Sequence, residues 1–166
     1  MILGMSTSTF TLLHVLTSLV GIGSGLIVAF GLLNGKLFSG WNHLFLATTV
    51  LTSVTGFLFP VEHILPSHKV GTISLAILAI AIAALYLFHL AGRWRAIYVG
   101  TAIMALYLNC FVGVVQSFLK VPALHAMAPT GTEPPFLFAQ IIVLILFVVL
   151  GVLATKRFRG PAVVPA

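Results

Sequence analysis

Residues 136–155 read FLFAQIIVLILFVVLGVLAT, a run with no Lys, Arg, Asp or Glu. At 1.5 Å per residue, a helix of roughly 20 apolar residues crosses the hydrocarbon core of a bilayer. The composition of the whole chain agrees, because 60% of its 166 residues are hydrophobic and 6% are charged, whereas a soluble domain is roughly a quarter charged. The sequence therefore predicts an integral membrane protein.

Five segments of this kind follow one another along the chain. They are residues 10–33, 42–59, 70–90, 96–119 and 136–155. The connections between them are too short for a second, soluble domain, so we expect residues 1–166 to form a single all-α bundle of five transmembrane helices. The second segment is the shortest and ends before Pro60. The alternative is therefore four spans with one re-entrant or short helix.

Positive charges are divided unequally between the two sides of this predicted bundle. One side carries Lys36, Arg93, Arg95, Lys156, Arg157 and Arg159, and the other carries Lys69 and Lys120. Because short loops rich in Lys and Arg stay in the cytoplasm, the pattern predicts a cytoplasmic C-terminus and an N-terminus outside. Trp41, Trp94 and Tyr98 lie at the same boundary as the larger group, where amphipathic rings favour the membrane interface.

The loop before the last segment is rich in proline and reads KVPALHAMAPTGTEPP. Pro122 and Pro129 predict a short interfacial helix between them, because proline suits the first turn of a helix and cannot continue one. Thr132 is the predicted N-cap of the last segment, with Glu133 complementing the helix dipole in the first turn. We expect this side of the protein to be ordered and to carry any binding site.

Small residues recur every four positions in the first segment. They are Thr17, Gly21, Gly25 and Ala29, and they include a GxxxG match. Such residues let helix backbones approach closely in lipid, where hydrophobic attraction between helices is weak. The stripe predicts a helix-packing face within the bundle, with a homodimer seam as the alternative.

Four polar side chains fall within the apolar segments at comparable positions. They are His14, Asn109, Gln116 and Gln140. Burying such groups in hydrocarbon is costly unless they find partners, so we expect them to point into the bundle. One interpretation is an outward-opening polar ligand pocket beneath the outer loops. The other is that these groups bond to one another and hold the helices together.

Histidines suggest two further sites. His43 and His89 lie at matched depth near the inner boundary, as the two axial ligands of a b-type heme would, although histidine is also at ease in headgroup water. The other candidate is a zinc or copper site across the outer loops, whose spacing matches no metal motif. Its ligands would be Glu62, His63, His68 and His125.

A longer run carries a resemblance. Residues Tyr107–Gln140 read YLNCFVGVVQSFLKVPALHAMAPTGTEPPFLFAQ, and WRAIYV precedes them at residues 94–99. This run resembles a segment of small multi-pass bacterial inner-membrane proteins that carry no established activity. The resemblance implies a bacterial inner-membrane location and nothing about chemistry.

These features favour a binding or accessory role over catalysis. The sequence shows no Ser-His-Asp arrangement, phosphate loop, HExxH or paired carboxylates, so no enzyme activity is expected. The net charge of +6 is scattered rather than clustered, so the expected partner is the lipid bilayer and not nucleic acid. We expect a protein that binds a small or lipid-like ligand or serves a larger membrane complex. The alternatives are a b-type heme carrier that exchanges electrons with quinone and a homo-oligomeric channel for a small solute.

Overall fold

The computed structural model describes residues 2–59 and 66–159, and in the second range it describes side chains from residue 68 onward. These residues form helices and connecting turns without a strand. The helices are α1 (Thr7–Leu33), α2 (Ser39–Gly56), α3 (Pro66–Ile82), α4 (Trp94–Lys120), α5 (Pro122–Met127) and α6 (Pro134–Arg157). A π-helical turn, Ala83–Leu87, continues α3. The all-α prediction is confirmed for the described residues.

Four of these helices are long and apolar enough to cross a membrane. They are Thr7–Leu33, His68–Leu87, Trp94–Lys120 and Pro134–Arg157. The fold therefore fits a membrane protein by length and composition, but five spans are not confirmed. The exception is α2, which has 18 residues and no charged side chain. Its amide, imidazole and hydroxyl groups make it more polar than the other four.

Helix α2 runs antiparallel to α1 along most of its length. Near one end of the pair, His14 of α1 hydrogen-bonds to Thr55 of α2. Near the other end, Gly31 of α1 lies against the Phe38 ring that precedes α2. The two helices are therefore level with each other, and α2 also packs against α3.

Helix α4 is the second organising element, because it packs against α1, α3 and α6. Its pairing with α6 is antiparallel, with the Phe118 and Phe136 rings 5.4 Å apart at one end. Tyr107 and Phe147 meet farther along, at 5.8 Å. Helix α6 lies at the edge of the bundle, and Ala154 is its one buried residue.

The alternating helix directions give the bundle two different ends. We call one the basic end, because the described Lys and Arg side chains there are Lys36, Arg93, Arg95, Lys156, Arg157 and Arg159. We call the other the α5 end, where Lys69, Lys120, Glu133 and the short helix α5 lie. The structure thus groups the cations as the sequence predicts, although the side of the membrane is not shown.

The third span ends earlier than the predicted Leu90. After the π-helical turn, His89 and Leu90 adopt left-handed backbone angles, with φ of 47° and 58°. Non-glycine residues adopt this conformation at a cost, so tertiary packing must hold it. Leu90 is buried, and the Phe88 ring stacks on Trp94 with centroids 3.7 Å apart. These contacts turn the chain from α3 into α4.

The small-residue stripe of α1 faces the inside of the bundle. Gly21, Gly25 and Ala29 are buried, and Thr17 is half-buried. A Cβ at Gly25 would lie 2.5 Å from the Leu106 side chain of α4 and 2.8 Å from a ring carbon of Phe45 on α2. The close approach of these helices therefore requires glycine there.

We expect Gly25→Ala to destabilise the bundle by about 1–3 kcal/mol, because the added methyl group overpacks a closed contact. Gly23→Ala is the matched control, since a Cβ at exposed Gly23 would meet nothing within 4 Å. It should be neutral or stabilising, because alanine favours helix more than glycine does. Unfolding of both variants in mixed detergent micelles measures the difference, and equal effects would contradict this packing.

Candidate functional site

His14 lies on α1 at the α5 end of the bundle, half-buried. Its Nδ1 atom is 2.8 Å from the Thr55 hydroxyl oxygen of α2. Its ring makes a T-shaped contact with the Phe59 ring, with centroids 5.2 Å apart. The imidazole therefore links α1 to α2, and its ring packs against an aromatic neighbour.

Asn109 lies deeper and links a different pair of helices. Its Nδ2 atom donates to the Thr49 hydroxyl oxygen at 3.1 Å, and Thr49 is fully buried. The amide nitrogen also lies 3.5 Å from the position that a Cβ of Gly21 would occupy. Gly21 of α1 therefore lies directly beside this bond between α2 and α4.

Gln140 lies on α6 at its interface with α4. Gln116 lies on the outer face of α4. Gln140 Nε2 donates to the Phe111 carbonyl at 3.2 Å, whereas its Oε1 atom is buried without a partner among the described residues. Gln116 is exposed. A glutamine that faces outward at this level can reach the headgroup region through its flexible side chain.

No hydrogen bond joins any two of the four residues of the predicted pocket. His14, Asn109 and Gln140 each bond to a separate partner, and their bonds join α1 to α2, α2 to α4 and α4 to α6. Gln116 points away from all of these contacts. Hydrogen bonds between helices give each of these three half-buried side chains a partner.

Two further polar contacts were not anticipated from the sequence. Tyr98 of α4 donates its hydroxyl hydrogen to Asn42 Oδ1 of α2, and both side chains are fully buried. Ser53 of α2 and Ser74 of α3 pair at 3.0 Å. Tyr98 is therefore not the interfacial ring that its place at the end of a span predicts, because its hydroxyl reaches the Asn42 amide inside the bundle. The polarity of Asn42 within the second segment was the available signal.

The histidines proposed as heme ligands lie at the basic end, and both are exposed. The His43 ring stacks on Tyr86 with centroids 5.7 Å apart, and its Nδ1 atom is 3.4 Å from the Ser39 hydroxyl oxygen. His89 belongs to the left-handed turn after α3. A b-type heme between them stays a prediction, which an absorption spectrum of the purified protein before and after reduction tests.

The predicted metal site is described in part. Glu62 and His63 lie outside the described residues, His68 packs against the Phe57 ring with centroids 5.5 Å apart, and His125 is exposed on α5. Within residues 2–59 and 66–159, no three His, Cys, Asp or Glu side chains come together as metal ligands.

The loop between α5 and α6 is organised around Glu133. Its carboxylate accepts hydrogen bonds from Thr130 N and Oγ1 at 3.0 and 2.9 Å and from Thr132 N at 3.0 Å. Partial desolvation opposes ionisation, but these bonds outweigh it and lower the pKa of Glu133 to about 2. Glu133, not the predicted Thr132, is the N-cap residue of α6, while the short helix predicted between Pro122 and Pro129 is present as α5.

An apolar groove runs along the surface between α4 and α6, and we call it the α4–α6 groove. Its volume is about 240 Å³. The residues that line it include Gly100, Met104, Tyr107, Val148, Gly151 and Val152. Glycine at position 100 leaves this space open, because a Cβ there would meet nothing within 4 Å. The other side of the groove is open to the surroundings, since the Met104, Val148 and Val152 side chains are exposed.

Comparison of the chain with models of known families, with curated protein sequences and with solved structures finds no match.

We expect Tyr98→Phe to destabilise the bundle by about 1–3 kcal/mol, because it leaves the buried Asn42 Oδ1 atom without this donor. Tyr86→Phe is the matched control, since Tyr86 is exposed and its ring stack on His43 does not need the hydroxyl. It should change the stability by less than about 0.5 kcal/mol. Detergent unfolding curves give both values, and a neutral Tyr98→Phe would mean that the pair does not hold α2 to α4.

Proposed function

We propose that this chain is a five-span protein of the bacterial inner membrane that binds a lipid-like ligand, with an alkyl chain of that ligand in the α4–α6 groove. The observation that carries the proposal is the groove itself, an apolar concavity that two glycines leave open on the surface facing the bilayer. In this proposal the ligand lies against α4 and α6 rather than in a polar pocket at the α5 end.

The lining supports a chain-like ligand. Met104, Val148 and Val152 offer flexible or branched apolar surface, and Tyr107 is the one lining residue whose side chain carries a polar group. Sites for apolar ligands combine this kind of lining with few polar groups. A polar solute would gain no hydrogen bonds along most of the groove.

The polar groups inside the bundle support the same conclusion. Most of the amide, imidazole and hydroxyl groups described above bond to neighbouring helices, as in the Asn109–Thr49 and Tyr98–Asn42 pairs. Groups that are bonded in this way are not free to line a path for ions or a polar solute. We therefore favour a binding or accessory protein over the small-solute channel.

Five spans are supported by the register of α2. It lies level with α1 from His14 to Gly31, a rise of about 26 Å against a hydrocarbon thickness of roughly 30 Å. Three of its polar side chains, Thr55, Ser53 and Thr49, bond to α1, α3 and α4, so these groups do not have to face lipid. With five spans, the excess of cations at the basic end gives a cytoplasmic C-terminus and an outside N-terminus.

We expect single cysteines at Lys36 and Lys69 to lie on opposite sides of the membrane, because a spanning α2 separates them. In intact cells, a membrane-impermeant maleimide should label Lys69→Cys and not Lys36→Cys, both made in a Cys110→Ser background. Lys120→Cys is the accessible control and Lys156→Cys the protected one. Labelling of Lys36→Cys and Lys69→Cys together would mean that α2 turns back within the membrane.

We expect Gly100→Leu to exclude an alkyl chain from the groove, because the leucine side chain would occupy it. The probe is phosphatidylcholine with a photoactivatable diazirine in one acyl chain, reconstituted with the protein in vesicles. Wild-type protein should crosslink preferentially in the peptides of α4 and α6, and Gly100→Leu should lower that yield several-fold.

Gly23→Leu provides the control for this substitution. Gly23 is also exposed on a membrane helix, and a Cβ there would also meet nothing within 4 Å, but it lies on α1 away from the groove. This variant should keep the wild-type crosslinking pattern. Even labelling of all exposed helices, unchanged by Gly100→Leu, would overturn the proposed function.

A further inference from the structure

The basic end carries positive charge without a described acidic partner. Six cations lie there, whereas Glu133, the acid within the described residues, lies at the α5 end. Arg95 Nη1 donates to the Arg159 carbonyl oxygen at 2.6 Å, which ties the start of α4 to the residues after α6. This bond orders the guanidinium and leaves its charge uncompensated.

Two of these cations continue the walls of the α4–α6 groove. On α6, Val148, Val152 and Lys156 follow one another at intervals of four residues, so they share one face of the helix. On α4, Arg93 precedes Gly100 by seven residues and already has helical backbone angles, so it lies on the same face two turns earlier. Arg93 and Lys156 are both exposed.

We propose that the ligand of the α4–α6 groove is an anionic phospholipid, with its phosphate between Arg93 and Lys156 and one acyl chain in the groove. The inference rests on the proposed function, because it assigns the headgroup of the ligand that the groove holds. One amphiphilic molecule satisfies both halves of the site, since its phosphate neutralises the cations and its chain covers the exposed apolar lining. Free phosphate would leave the groove uncovered.

Orienting the protein in the membrane does not explain this placement. The positive-inside rule counts cations near the ends of spans and is indifferent to the helix face on which they lie. Lys36, in the connection between α1 and α2, serves orientation equally well and belongs to neither of the two helices that line the groove. The alignment of Arg93 and Lys156 with the groove is therefore the feature that indicates a headgroup.

Trp94 provides a local probe, because it begins α4 beside Arg93 and stacks on Phe88. In a Trp41→Phe background, it is the one tryptophan of the chain. Phospholipids with brominated acyl chains quench tryptophan on contact. The experiment compares quenching by brominated phosphatidylglycerol with quenching by brominated phosphatidylcholine in mixed vesicles, which gives the relative affinity for the anionic lipid near Trp94.

We expect a several-fold preference of the wild-type site for phosphatidylglycerol. Lys156→Gln and Arg93→Gln should each lower this preference about fivefold at most, as expected for the loss of one cation close to an anionic headgroup. Lys156→Arg should retain the preference, which shows that a loss in Lys156→Gln reflects charge rather than misfolding. Lys36→Gln, which removes the same charge at the same end, should leave the preference unchanged.

The other outcomes separate the two proposals. Equal quenching by the two lipids would overturn the anionic headgroup, while groove-specific crosslinking of the diazirine lipid that Gly100→Leu abolishes would leave the proposed function standing. An equal loss of preference in Lys36→Gln and Lys156→Gln would mean that the whole basic end attracts the lipid, and it would also overturn the site. Loss of the crosslinking pattern itself would overturn the proposed function.

Discussion

The architecture depends on the need of α2 to satisfy its polar side chains inside a bundle that is otherwise apolar. Thr55, Ser53 and Thr49 bond to α1, α3 and α4, respectively, and Asn42 accepts the Tyr98 hydroxyl of α4. A helix with this many polar groups is stable in lipid only when other helices surround it. The packing of α2 against α1 and α3, and its side-chain bonds to α4, follow from that constraint.

Much of the fold could be predicted from hydropathy, and α2 shows where this approach fails. The four most apolar helices are where the sequence places them, because apolar side chains dominate each of them over the length of a span. The polar side chains of the second segment are explained by their hydrogen-bond partners on other helices, which are His14, Ser74 and Asn109. The hydropathy of one segment cannot reveal a hydrogen-bond partner that lies about 20 to 60 residues away along the chain.

The candidate site was harder to predict than the fold. Depth can be read from position in a span, so His14 and Gln140 were expected at similar levels, but the face of a uniformly apolar helix cannot be read in this way. Gln116 faces outward, and Tyr98 faces inward. The α4–α6 groove is a shape made by Gly100 and Gly151 on separate helices, and missing side chains give no signal of their own in a hydropathy profile.

The marginal position of α6 affects the dynamics of the protein. With Ala154 as its one buried residue, α6 buries little of its surface, and it contacts α4 through Phe136, Gln140 and Phe147. Segments with little buried surface separate from a fold at lower free energy than its core does. An outward displacement of α6 would widen the crevice sideways into the lipid and leave the contacts of α2 with α1 and α3 in place.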